Sequence, residues 1–155
     1  MNPNIIAGLV NRAYSDFSMF SFDNRLKLQK FTYFLQHAFD LNIGYEFNWY
    51  TYGPYCMELT KDGFLANFED TPELKFADKE AEDKFGRFLK FIERRKDNAE
   101  WLEIASSFHL LKKINPTVKE DELIEIIKNK REEFKSKGEV IKKILEELKK
   151  EGVFE

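Results

Sequence analysis

Apolar residues along the chain fall into blocks at helical spacing, separated by short polar or Gly/Pro-containing breaks. Behind Pro3, which suits a first helical position, Ile5, Ile6, Leu9, Val10 and Ala13 trace one face of a first helix. From Tyr14 to Phe22, Ser15, Asp16, Ser18 and Ser21 stand among aromatics, the pattern of a packed loop. Asp23 or Asn24 is placed to cap a second helix running to about Leu41, where Asn42 and Gly44 stop it. Leu28, Phe31, Leu35, Ala38 and Phe39 share one face of it, and Leu26, Tyr33 and Phe34 broaden that face. A helix apolar nearly all round is predicted to be the central, most buried one.

The period then changes. Between Tyr45 and Tyr52, Phe47, Trp49 and Thr51 alternate with Asn48, Tyr50 and Tyr52, which predicts a short strand or hairpin arm. Gly53-Pro54 breaks it, and Pro54 is read as opening a helix through about Phe68. Beyond Thr71-Pro72, a helix is predicted over Asp78 to Arg95 on Phe85, Phe88, Leu89 and Ile92. The next carries Trp101, Ile104, Ala105 and Phe108 and ends near Asn115-Pro116. Thr117, with acidic residues behind it, marks a helix through about Phe134. Lys137-Gly138 separates it from a last helix on Val140, Ile141, Ile144, Leu145 and Leu148, ended by Gly152 before an extended Val153-Phe154 tail. The fold class is therefore mainly α: a multi-helix bundle around a buried central helix, with one short β-hairpin or strand pair. Residues 1–115 form the core and 116–155 a helical hairpin packed on it as one structural unit.

Composition sharpens this. With 155 residues, 43% of them apolar, the chain has enough apolar surface for a real core. Sixteen Phe, six Tyr and two Trp let relatively few side chains build it. A formal charge of −3 argues against a surface that tracks nucleic acid everywhere. Cys56 is the only cysteine, so no intrachain disulfide forms, which suits a reducing compartment. No stretch reads as a signal peptide, and no apolar run approaches the ~20 residues that span a bilayer. Cytoplasm, with no membrane association, is the expectation.

Two stretches carry a resemblance. One is Leu26-Lys27-Leu28-Gln29-Lys30-Phe31, continuing through Tyr33, Leu35 and Gln36; the other runs from Phe47 through Trp49-Tyr50-Thr51-Tyr52-Gly53-Pro54-Tyr55. A helix bearing L-Q-K-x-x-Y-x-x-Q, a turn, then W-x-x-Y-G-P resembles the Panacea (SocA-like antitoxin) domain. The form W-Y-x-Y-G-P-Y followed by Glu58-Leu59 is similar to its YwgA-like branch. The likeness is strong over about Leu26 to Asp62 and one of general layout beyond. It implies a helical domain with a small sheet, no known active site, and action by contact with a protein partner such as a toxin.

The same residues have a physical reading. Gly53 permits a tight turn, and Trp49, Tyr50, Tyr52 and Tyr55 set aromatic rings around it. Alternation sends Trp49 to one face and Tyr50 and Tyr52 to the other. The corner is either a fold-defining turn or an exposed aromatic binding surface formed by Trp49, Tyr50, Tyr52, Gly53, Pro54 and Tyr55. On the helix, Gln29, Lys30 and Gln36 either satisfy nearby backbone or, for Lys30, present a charge to an acidic partner.

Reactive chemistry finds little support. Cys56, His37 and His109 have no metal-ligand spacing, so no metal or cofactor is expected. A Cys56–His37 nucleophile pair is conceivable but a packed cysteine is the commoner reading. No phosphate-cradling glycine motif occurs. From Lys112 onwards the chain is slightly basic, against an acidic remainder. The helix order there resembles the front half of a winged helix, which makes Lys128, Lys130, Arg131, Lys135 and Lys137 candidates for DNA phosphates. The leading expectation is a non-catalytic protein–protein interaction module; the alternative is a DNA-binding transcriptional regulator using these C-terminal helices.

Overall fold

The computed structural model describes residues 2–154. Helix α1 (Pro3–Val10) starts where Asn2 Oδ1 accepts from Asn4 N–H at 2.9 Å, with Pro3 in the first turn. Helix α2 (Phe22–His37) is capped by Ser21, whose hydroxyl accepts from Asn24 N–H at 3.0 Å. The predicted caps Asp23 and Asn24 lie inside the helix, and Asn24 Nδ2 instead donates to Ser18 O. The helix also stops before Leu41, because the chain turns left-handed at Asp40 (φ 55°), ahead of Asn42 and Gly44.

Strands β1 (Asn48–Tyr50) and β2 (Gly53–Tyr55) form an antiparallel hairpin with Trp49 opposite Pro54. Pro54 therefore sits in a strand and does not open the next helix; α3 (Met57–Leu65) begins after Cys56. Helices α4 (Lys79–Ile92) and α5 (Ala99–Ile114) follow, capped by Asp78 on Ala81 N–H and by Asn98 on Trp101 N–H. Helix α6 (Glu120–Lys130) ends short of Phe134, since Arg131 is extended (φ −141°, ψ 150°) and a short 3-10 turn covers Glu132–Phe134. Thr117 is not its cap: the Thr117 hydroxyl donates to Asn115 Oδ1. Helix α7 (Gly138–Lys150) ends at Gly152 (φ 74°), and the predicted tail folds back so that Phe154 is buried near Phe108. Among the described residues no strand follows α7.

The architecture is the predicted helical bundle with one hairpin. Helix α2 is buried from Leu28 to Gln36, and α5 packs against α2, β2, α6 and α7, which ties the C-terminal hairpin to the core. Aromatic side chains fill the space between α2 and α4. Phe31 meets Phe88 edge-on at 4.8 Å between ring centroids, and Phe34 meets Phe91 at 5.1 Å. Arg12, just after α1, pairs with Glu82 on α4, and this guanidinium holds the Glu82 carboxyl down at about 2. Among the described residues no helix is long and apolar enough to cross a membrane.

The segment between α3 and α4 is strapped over α1. Leu74 N–H donates to Gly8 O at 3.0 Å, and a Cβ at Gly8 would lie 2.7 Å from Leu74 Cβ and 3.1 Å from Pro72 O. Neither neighbour is the far end of a flexible side chain. Gly8→Ala is expected to lower stability by ~1–3 kcal/mol through overpacking, read as a lower urea midpoint with an unchanged m value.

Candidate functional site: the aromatic corner

The polar residues of the L-Q-K-x-x-Y-x-x-Q stretch point inward and hold the hairpin by its backbone. Gln29 Nε2 donates to Cys56 O at 2.8 Å, while Cys56 N–H donates to Gln29 Oε1 at 2.8 Å. One amide thus closes both backbone groups of Cys56 and also reaches Thr60 Oγ1. Two helical turns on, Gln36 repeats the device: Nε2 donates to Tyr45 O at 2.7 Å, and Oε1 accepts from Tyr45 N–H at 2.9 Å. Both glutamines thus satisfy nearby backbone, as their place on an apolar helix predicts. Lys30 is not the exposed charge of the other reading. It is 0% exposed and its ammonium donates to Pro54 O at 2.6 Å.

With its backbone pinned, the hairpin turns tightly at Gly53 (φ 91°) over α5. A Cβ there would stand 2.5 Å from Ser107 Oγ, so glycine is required both by conformation and by close approach. Tyr50, Tyr52 and Tyr55 then converge with Phe22, Leu26 and Thr60 on a recess of about 300 Å³, with Gln29 and Lys30 at the α2 side. Tyr50 and Tyr55 meet edge-on at 5.4 Å, and Phe22 and Tyr52 at 4.9 Å. Tyr50 is 52% exposed and Phe22 47%, so the walls of the recess reach solvent. Trp49 lies on the opposite side of β1, half-buried against the core, as alternation predicts. Pro54 is buried beneath the turn.

Sequence reasoning missed Phe22, Leu26, Arg25 and Thr60 as partners of the corner. The sequence pattern places Phe22 in the loop, and only its position at the start of α2 brings it over Tyr52. Arg25 also lines the recess and donates to Met19 O at 2.8 Å and Phe20 O at 3.1 Å, fixing the preceding loop.

A buried carboxylate ties the C-terminal hairpin to this corner. Glu103 on α5 accepts from Lys130 Nζ at 2.7 Å and from Arg131 Nη2 at 2.9 Å. Lys130 lies 5.4 Å from the Trp49 ring centroid, and the Arg131 guanidinium 4.7 Å from that of Tyr52. The remaining candidates for DNA phosphates also have carboxylate partners: Lys128 with Glu125 (3.6 Å), Lys135 with Glu132 (3.0 Å) and Lys137 with Glu100. The predicted basic row is thus a set of ion pairs, two of whose members are turned toward the hairpin.

Cys56 is buried. His37 lies at the far end of α2, against Phe47 and Lys113. His109 on α5 bonds to Tyr33. The chain matches no family model, no curated protein and no solved structure.

The corner makes two expectations. Burial, and then the charge of Lys130, push Lys30 down to about 7, with Glu103 opposing. Folding therefore expels a proton that the unfolded chain keeps until about 10.5. Stability conferred through Lys30 rises with pH across this window, opposite to a salt-bridged lysine. Relative to Lys30→Met, the parent is expected to gain stability between pH 6 and pH 9 by urea titration; parallel profiles would refute the assignment. Glu103→Ala leaves two cations without their buried partner and is expected to cost ~3–5 kcal/mol, measured by thermal unfolding.

Proposed function

We propose that the protein is a non-catalytic binding module of the antitoxin or adaptor kind, taking an apolar side chain of a partner polypeptide into the recess at the aromatic corner. The observation that carries this is the recess itself: tyrosines on a pinned backbone, with Tyr50 and Phe22 open to solvent at its walls. Rigid aromatic groups at the rim of a small apolar recess suit a hot-spot pocket, because little conformational freedom is lost when it is filled. The Panacea-like, YwgA-like pattern of Gln29, Lys30, Gln36 and the W-Y-x-Y-G-P-Y turn supports the same reading, with a toxin as the fitting partner class. A lone buried thiol and the composition fit the cytoplasm. Against the second reading, a DNA-binding regulator, Lys130 and Arg131 are held by the buried carboxylate of Glu103.

The test is co-purification with the product of the neighbouring gene, followed by calorimetry on Tyr50→Ala and Tyr55→Ala. Each variant is expected to weaken binding about 30-fold, the scale of a hot-spot truncation, at unchanged melting temperature. Equal affinity of parent and variants would remove the corner as the binding surface.

A further inference from the structure

On another face, a cleft of about 540 Å³ opens between the end of α2, the end of α5 and the chain after α7. His37, His109, Lys112, Lys113 and Phe154 line it, and among the described residues no carboxylate does. The proposed function uses none of these groups.

Hydrogen bonds fix the tautomer of each imidazole. Tyr33 Oη lies 2.7 Å from His109 Nδ1, and Tyr33 is wholly buried. If the hydroxyl accepted from the ring, its own hydrogen would be buried without a partner, so it donates. His109 Nδ1 is then the acceptor and Nε2 carries the proton. Lys113 Nζ lies 3.1 Å from His37 Nδ1, and an ammonium only donates, so His37 is also the Nε2–H tautomer. Burial first, and the Lys113 charge next, hold both rings neutral, His109 at about 4. Lys112 Nζ lies against the Phe154 ring, 5.9 Å from its centroid. The polar side-chain groups of the lining residues are thus imidazole N–H and ammonium donors, beside an apolar wall from Val153 and Phe154.

We infer that this cleft binds a phosphate group, held by the ammonium groups of Lys112 and Lys113 and by the Nε2–H groups of His37 and His109. Multiple donors, two of them cationic, match a tetrahedral oxyanion, and charge-assisted bonds to such an anion are the strong ones. Phe154 offers a surface to whatever group carries the phosphate.

The test uses imidazole nitrogen–proton correlation spectra of the whole protein, titrated with sodium phosphate or phenyl phosphate at constant ionic strength. Both rings are expected as Nε2–H tautomers, with saturable shifts of both on adding phosphate. Lys112→Gln with Lys113→Gln, at the protein surface, is expected to weaken binding about tenfold or more while the melting temperature holds. Tighter binding of phenyl phosphate would assign the site to an organic phosphate, and equal binding to the free ion. No saturable shift with either probe, or equal affinity in the double variant, would overturn the proposal. So would an Nδ1–H tautomer at either ring.

Discussion

A row of polar side chains on the most buried helix does the work that a neighbouring strand does in a larger sheet. A two-stranded hairpin standing alone is marginal in water, because half of its backbone groups have no ladder to join. Here Lys30 supplies such a partner at Pro54, and Gln29 and Gln36 pin the chain on either side of the hairpin, at Cys56 and Tyr45. Each amide offers a donor and an acceptor, so it can satisfy both backbone groups of one residue, as a strand would. The hairpin, its turn and the recess beside it depend on that substitution.

Its polarity sets the rest of the design. Burying amides and an ammonium is tolerable only where every group finds a partner. Each glutamine nitrogen and oxygen finds at least one. Lys30 has a neutral carbonyl and no adjoining carboxylate, and the cost appears as its lowered basicity. Glu103 is the nearest compensating charge, and Lys130 and Arg131 share it. The C-terminal hairpin is thereby latched to the corner by charge as well as by the apolar faces of α6 and α7.

Much of the fold was legible because it rests on periodicity. Phe85, Phe88 and Ile92, or Ile141, Ile144 and Leu148, can bury one side only as helices, and they do so. Errors gathered where a contact distant in sequence decides. Asp23 and Asn24 look like the caps on paper, but Ser21 takes that place while Asn24 bonds back to Ser18. Gly53-Pro54 looks like a helix start until Gln29 and Lys30 hold that stretch extended. Of the candidate site, the tyrosines were visible and the burial of Lys30 was not, because a single lysine on an apolar helix does not announce which way it points. The pairing of His37 with Lys113 and of His109 with Tyr33 joins residues seventy-six apart, which no local pattern reveals.

The glutamine clamps grip main-chain atoms, so the identities of the side chains projecting from the hairpin are left almost unconstrained by them. Tyr50, at the solvent side of β1, can be exchanged without touching a single bond that sets the loop's course. A scaffold arranged in this way separates holding a loop from dressing it. New recognition surfaces can be grafted onto such a frame, one projecting position at a time, while the fold beneath stays as it is.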